Sequence, residues 1–141
     1  MSLEIYCDGL CEPRNPGGYA CCAFVVFRDG ERVHERYACI GQGEGMTNNV
    51  AEYRAVRAAL RWLVQNRNGE TAKVMTDSKL VVEQVNGTWN CNSETLRMLR
   101  DDCREAMRAT ENVLLLWIPR AQNEEADRLT RIAYAEARRA A

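Results

Sequence analysis

The sequence predicts an α/β fold: a mixed five-stranded sheet, three antiparallel strands and then two parallel ones, with helices on both faces. Three observations predict it. Residues 3–40 hold three β-prone runs, and Asp29-Gly30 joins the second to the third as a tight hairpin. Beyond Gly41 the apolar period becomes helical, interrupted by short apolar runs at 72–76 and 112–118. Strands joined by hairpins pair antiparallel, and strands separated by helices pair in parallel through crossovers. The order is β-β-β-α-β-α-α-β-α.

Leu3, Ile5 and Cys7 alternate with Glu4, Tyr6 and Asp8, so the first strand has period two and ends at Asp8-Gly9. Residues 10–18 hold Pro13, Pro16, Gly17 and Gly18 and read as a shaped loop. Tyr19 to Arg28 is the second strand. Glu31 to Ile40 is the third, with Val33, Glu35, Tyr37 and Cys39 along one face. Gly41 to Gly45 is flexible, and Thr47-Asn48-Asn49 starts a helix that runs to about Asn66. Its apolar stripe is Val56, Ala59, Leu60 and Leu63, with Arg54, Arg57 and Arg61 on the opposite side.

Ala72 to Thr76 is a short strand ending at Asp77, and Ser78 to Asn86 is a short helix stopped by Gly87. Ser93 caps a helix to about Thr110, with Leu96, Leu99, Cys103 and Met107 inward. Asn112 to Ile118 is continuously apolar, the pattern of a strand covered on both faces. Pro119 ends it, and Gln122 or Asn123 begins a last helix with Leu129, Ile132, Ala133 and Ala137 inward.

The 141 residues suit a single domain, 1–141, with a real core. No apolar run is long enough to cross a bilayer, and Met1-Ser2-Leu3-Glu4 has neither a basic start nor an apolar signal region. A cytoplasmic protein is expected, with no membrane association and no obligate protein partner. The net charge of −1 excludes a sequence-blind basic coat for nucleic acid, though not an acidic metal site beside a local basic face. The seven cysteines are odd in number and read as reduced, mostly buried thiols. Structural zinc is disfavoured by their spacing and by the single histidine, His34.

Four carboxylates can be brought to the end of the first strand. Asp8 sits beside Gly9, open to a ligand. Glu52 falls within the buried stripe of its helix, where a carboxylate needs a partner, although Asn49-x-x-Glu52 also fits a capping box. Asp77 stands between strand and helix, where an N-cap role competes. If its strand pairs with the first, it neighbours Asp8 at the carboxyl edge where α/β sheets bind ligands. Asp127 lies early in the last helix with Glu124 and Glu125, and periodicity does not select it from them. Converging acids are hard to hold together without a cation.

Five ordered motifs carry a resemblance: Tyr6-Cys7-Asp8-Gly9, Asn15-Pro16-Gly17-Gly18-Tyr19, Thr47-Asn48-Asn49-Val50-Ala51-Glu52, Thr76-Asp77-Ser78 and Pro119-Arg120-x-x-Asn123-x-x-Ala126-Asp127-x-Leu129. The chain resembles a type 1 ribonuclease H over essentially its whole length. The resemblance implies an RNase H-like sheet and an endonuclease that hydrolyses the RNA strand of RNA/DNA hybrids, leaving 5′-phosphate and 3′-hydroxyl ends. It implies two Mg²⁺ or Mn²⁺ ions, about 4 Å apart, on Asp8, Glu52, Asp77 and Asp127 with the Gly9 backbone. It places Asn15, Asn48 and Asn49 in the groove for the RNA strand, since a carboxamide can answer both sides of a 2′-hydroxyl. Ser78, Lys79, Trp89, Arg120 and Asn123 complete the implied substrate contacts, Lys79 standing where some relatives have glutamine.

Two departures accompany the resemblance. Only Gly87 to Asn92 links two helices where some members carry a basic protrusion that grips substrate. The loop Pro119-Arg120-Ala121-Gln122 lacks the histidine that some members have there. Arg97, Arg100, Arg104 and Arg108 stack along one side of the helix after Ser93 and fit either a substitute phosphate grip or a solvated, ion-paired face. Double-stranded RNA is a second candidate substrate. The competing functions are another nuclease of the same fold, such as an exonuclease or junction resolvase, and a hybrid-binding module without catalysis.

Overall fold

The computed structural model describes residues 1–141. The chain forms β1 (Ser2–Glu12), β2 (Gly17–Arg28), β3 (Glu31–Gly43), α1 (Asn48–Asn66), β4 (Thr71–Thr76), α2 (Lys79–Asn86), α3 (Glu94–Ala109), β5 (Val113–Trp117) and α4 (Glu124–Ala140). The sheet order is β3-β2-β1-β4-β5. β1 and β3 flank β2 antiparallel, while β4 pairs in parallel with both β1 and β5. This is the mixed five-stranded sheet that the hairpin and the crossovers predict. No helix is long and apolar enough to cross a membrane.

Leu3, Ile5 and Cys7 of β1 join Val56, Leu60 and Leu63 of α1 and Leu99 and Cys103 of α3 in the main core. On the opposite face Ala23 and Val25 of β2 meet Leu129 of α4. Local chemistry sets the boundaries. Asp29 and Gly30 both take positive φ, 50° and 85°, as a two-residue hairpin with native twist requires. Gly87 ends α2 in the left-handed region at φ 90°. Ser93 caps α3, its hydroxyl accepting from the Leu96 amide at 3.2 Å.

Three expectations are corrected. β1 does not end at Asp8. Its pairing with β4 stops at Cys7–Thr76, but its ladder to β2 continues to Glu12–Tyr19. Asp8 stands where the strand loses one neighbour, and the loop shrinks to residues 13–16. β5 is not covered on both faces: only Leu115 is buried, and Leu114 and Trp117 are 57% and 48% exposed. The reason is position, since β5 is an edge strand and α4 packs over β2, β1 and β3. The last helix begins at Glu124, after a 3-10 turn at Arg120–Gln122.

Candidate metal centre

Parallel pairing of Cys7 with Thr76 puts the next residues, Asp8 and Asp77, side by side where β4 ends. α1 then closes over β1 at Gly9. A Cβ there would lie 2.4 Å from the backbone of both Ala51 and Glu52, so only glycine permits the approach. The Gly9 amide donates to Glu52 Oε1 at 2.6 Å, and the Thr76 hydroxyl donates to Oε2 at 3.4 Å. Both Glu52 oxygens are thereby aimed at the sheet. Asp8, Glu52 and Asp77 each offer an oxygen within 4.8 Å of the others.

Neither capping alternative survives. Thr47 caps α1, its hydroxyl accepting from the Val50 amide at 3.1 Å, so Glu52 lies beyond the capping-box position. Ser78 caps α2, accepting from the Val81 amide at 3.3 Å, which leaves the Asp77 carboxylate free of that role.

Electrostatics record the cost of the arrangement. Burial, then the charges of Asp77 and Asp127, push Asp8 up to about 7. Burial, then Asp8 and Asp77, hold Glu52 well above the usual carboxylate range. Asp77 is raised by burial, and Arg120 and Asn123 act against the shift. Asp77 thus opposes the ionisation of both Asp8 and Glu52, and three carboxylates crowded in this way offer the oxygen ligands that suit a hard divalent ion.

Asp127 lies outside the tight trio. Its carboxylate is held by Arg131 at 3.3 Å and Arg120 at 3.9 Å on the rim of the same cavity. That cavity has a volume of about 350 Å³ and is lined by Asp8, Gly9, Glu52, Asp77, Asn48, Asn49, Ser78 and Arg120, among others. Asn15 stands behind Asn48: its amide donates to Asn48 Oδ1 at 2.7 Å, and its Oδ1 accepts from the Asn48 amide at 3.1 Å. The other implied contacts lie elsewhere. Asn123 is 1% exposed, and its amide donates to the Cys7 carbonyl at 2.7 Å, tying the start of α4 to β1. Its Oδ1 has no hydrogen-bond partner, and the side chain is buried beneath the site rather than exposed in the cavity. Lys79 and Trp89 are exposed and outside the cavity.

Two residues escape a sequence reading. Thr130 is fully buried in α4, and its hydroxyl lies 3.2 Å from Asp8 Oδ2 and 2.7 Å from the Asp127 carbonyl. Nothing in the pattern marks a threonine on an inward helix face as a partner of the first strand. Arg131 was detectable in principle, four residues after Asp127 on the same side of a helix. The arginine side of α3 is also partly spent. Arg104 donates to the carbonyls of Gln84 and Val85 at 3.0 Å each, and Arg100 pairs with Asp101.

A family model described as reverse transcriptase-like matches residues 8–133. Among solved structures, the N-terminal RNase H domain of Rv2228c from Mycobacterium tuberculosis matches with a TM-score of 0.87 over 99% of each chain, at 36% identity. The chain belongs to the type 1 ribonuclease H family. Within that family, LC11-RNase H1 in complex with an RNA/DNA hybrid matches with a TM-score of 0.86 and 31% identity, over 96% of this chain and 98% of that one. Ribonuclease HI of Halobacterium salinarum is 36% identical over 135 residues. The chain spans 65% of the length of that protein and 34% of the Mycobacterium tuberculosis bifunctional protein Rv2228c. In this ribonuclease H chain α2 and α3 are joined only by residues 87–93.

Proposed function

We propose that this chain is an endoribonuclease that hydrolyses the RNA strand of RNA/DNA hybrids, leaving 5′-phosphate and 3′-hydroxyl ends. The observation that carries the proposal is the convergence of Asp8, Glu52 and Asp77, with oxygens within 4.8 Å, at the bottom of an asparagine-lined cavity. The complex of LC11-RNase H1 with a hybrid supports the choice of substrate. Asp8, Glu52 and Asp77, with Asp127 and the Gly9 backbone at the rim, would hold two Mg²⁺ or Mn²⁺ ions. Such ions, when bound, activate a water and neutralise charge at the scissile phosphate.

The chain's own groups bind and orient. Asn48 and Asn49 present carboxamides to the sugar edge of a strand, and a carboxamide can donate to and accept from a 2′-hydroxyl. Asn15 fixes Asn48 from behind through two hydrogen bonds. Arg120 brings a positive charge to the cavity for a phosphate, while Arg120 and Arg131 together restrain Asp127. Thr130 steadies Asp8 from α4. Asn123 locks α4 to β1 and is a positioning residue.

The test is incubation with labelled RNA/DNA hybrid, double-stranded RNA and double-stranded DNA, with Mg²⁺, with Mn²⁺ and with neither. Cleavage confined to RNA strands, present only with metal, is the expected result. Cleavage of double-stranded DNA would favour another nuclease activity. Hybrid binding without cleavage under any metal would make the chain a binding module. The site of action proposed is the cytoplasm.

A further inference from the structure

The carboxylate cavity has a counterpart of opposite charge. A second cavity, also of about 350 Å³, opens between α1 and β3. Arg36 of β3 and Arg54, Arg57 and Arg61 of α1 line it, and no acidic residue does. Arg57 and Arg61 share one carboxylate, Asp102 of α3, at 2.8 and 3.6 Å. Arg36 and Arg54 make no ion pair. In a chain of net charge −1, four guanidinium groups against a single acid form a concentrated positive site. Like charges three and four residues apart on a helix repel, so an anion would relieve the cluster.

The guanidinium groups come from two elements, Arg36 from β3 and Arg54, Arg57 and Arg61 from α1, and the buried Cys22 of β2 lies on the floor of the same cavity. The rest of the floor is apolar, with Phe24, Ile40 and Ala58. Trp62 forms one wall, its ring held by stacking on His34 at 5.4 Å between centroids. Register separates this cavity from the carboxylates. Asp8 lies opposite Ala23, and Ala23 opposite Tyr37, so the β3 wall stands two strand spacings, about 10 Å, from Asp8.

We propose that this cavity is a second ligand site that takes a nucleoside monophosphate unit, with the phosphate on the Arg36, Arg54 and Arg57 guanidinium groups and the base against Trp62 and the apolar floor. The planar guanidinium fork matches a phosphate bidentately, and an aromatic wall suits a flat base. The volume is within the range of small-ligand pockets. The unit can come from a free nucleotide or from one residue of a nucleic-acid strand, since both present the same phosphate and base.

The experiment is titration of the intact protein with AMP in the absence of divalent metal, followed by tryptophan fluorescence and by calorimetry. AMP is expected to bind with a Kd below about 1 mM. Adenosine and inorganic phosphate should each bind at least tenfold more weakly. Arg36→Ala/Arg54→Ala should weaken AMP tenfold or more, Trp62→Phe should remove the fluorescence change, and Asp77→Asn should leave AMP affinity unchanged. AMP binding no tighter than phosphate, or undiminished in the double variant, overturns the site. Loss of AMP binding in Asp77→Asn overturns it too, by moving the ligand to the carboxylate cavity. A 5′-phosphorylated single-stranded pentanucleotide separates the sources. Displacement of AMP assigns the unit to a strand and its absence assigns it to the free nucleotide, and either result upholds the site.

Discussion

The Gly9 amide donates to Glu52 Oε1 at 2.6 Å, across 43 positions of sequence. This contact joins the first strand to the first helix at the point where the carboxylates meet. It exists because Gly9 has no Cβ to hold α1 away. Gly9→Ala should therefore push α1 off β1, since the atoms met at 2.4 Å are backbone and cannot swing aside. The expected loss is about 1–3 kcal/mol of stability, accompanied by loss of hybrid cleavage. Urea unfolding with a parallel cleavage assay checks both. Unchanged stability would show that the approach is looser than this geometry.

Without metal, the trio should make stability fall as pH rises. Asp8 has an unfolded pKa near 3.9 and a folded value of about 7. Between those values the native state holds more protons than the unfolded state, so raising the pH through that window favours unfolding. The contribution is on the order of 2–4 kcal/mol. Urea unfolding in chelator at pH 4.5 and pH 7.5 should give a smaller difference for Asp8→Asn than for the wild type. Divalent metal should flatten the wild-type difference. Equal pH dependence in both proteins would contradict the assignment of strain to Asp8.

Arg104 is a helix cap from another helix. It satisfies the Gln84 and Val85 carbonyls near the end of α2, 20 and 19 residues away in sequence. Arg104→Ala should cost about 1–3 kcal/mol and leave the salt dependence of hybrid binding unchanged. Binding in Ca²⁺ across a salt series, with Ca²⁺ used to block turnover, reads the second quantity. A slope flattened by about one unit would return Arg104 to the substrate grip.

Six of the seven cysteines are buried, and Cys39 is exposed. Thiol titration of the native protein should show one fast-reacting group, removed by Cys39→Ser. The unfolded protein without reductant should show seven thiols. A total lower by two would mean a disulfide.

The sheet order was legible because the Asp29-Gly30 hairpin and the helical crossovers each permit one kind of pairing. The meeting of Asp8 with Asp77 followed from the same pairing. The extent of β1 was not legible, because period two reports burial and says nothing of where a ladder stops. The apolar run at 113–117 misled for a related reason: an edge position depends on which strands α4 covers. Asn123 shows the limit within the site. Its motif marks it as polar and near the centre, yet only the approach of α4 to β1 decides that it is buried and that its amide nitrogen donates to Cys7. Thr130 has no sequence signal at all, since its partner lies 122 positions away.

Cleavage of labelled hybrid by Asp77→Asn, measured beside its metal-free stability, shows whether the three acids act as one metal site. Cleavage should fall roughly a thousandfold or more in both Mg²⁺ and Mn²⁺. The fold should be intact or slightly more stable, because the charge that opposes ionisation of Asp8 and Glu52 is removed. Near-normal cleavage by this variant would contradict the assignment of Asp8, Glu52 and Asp77 as one metal site.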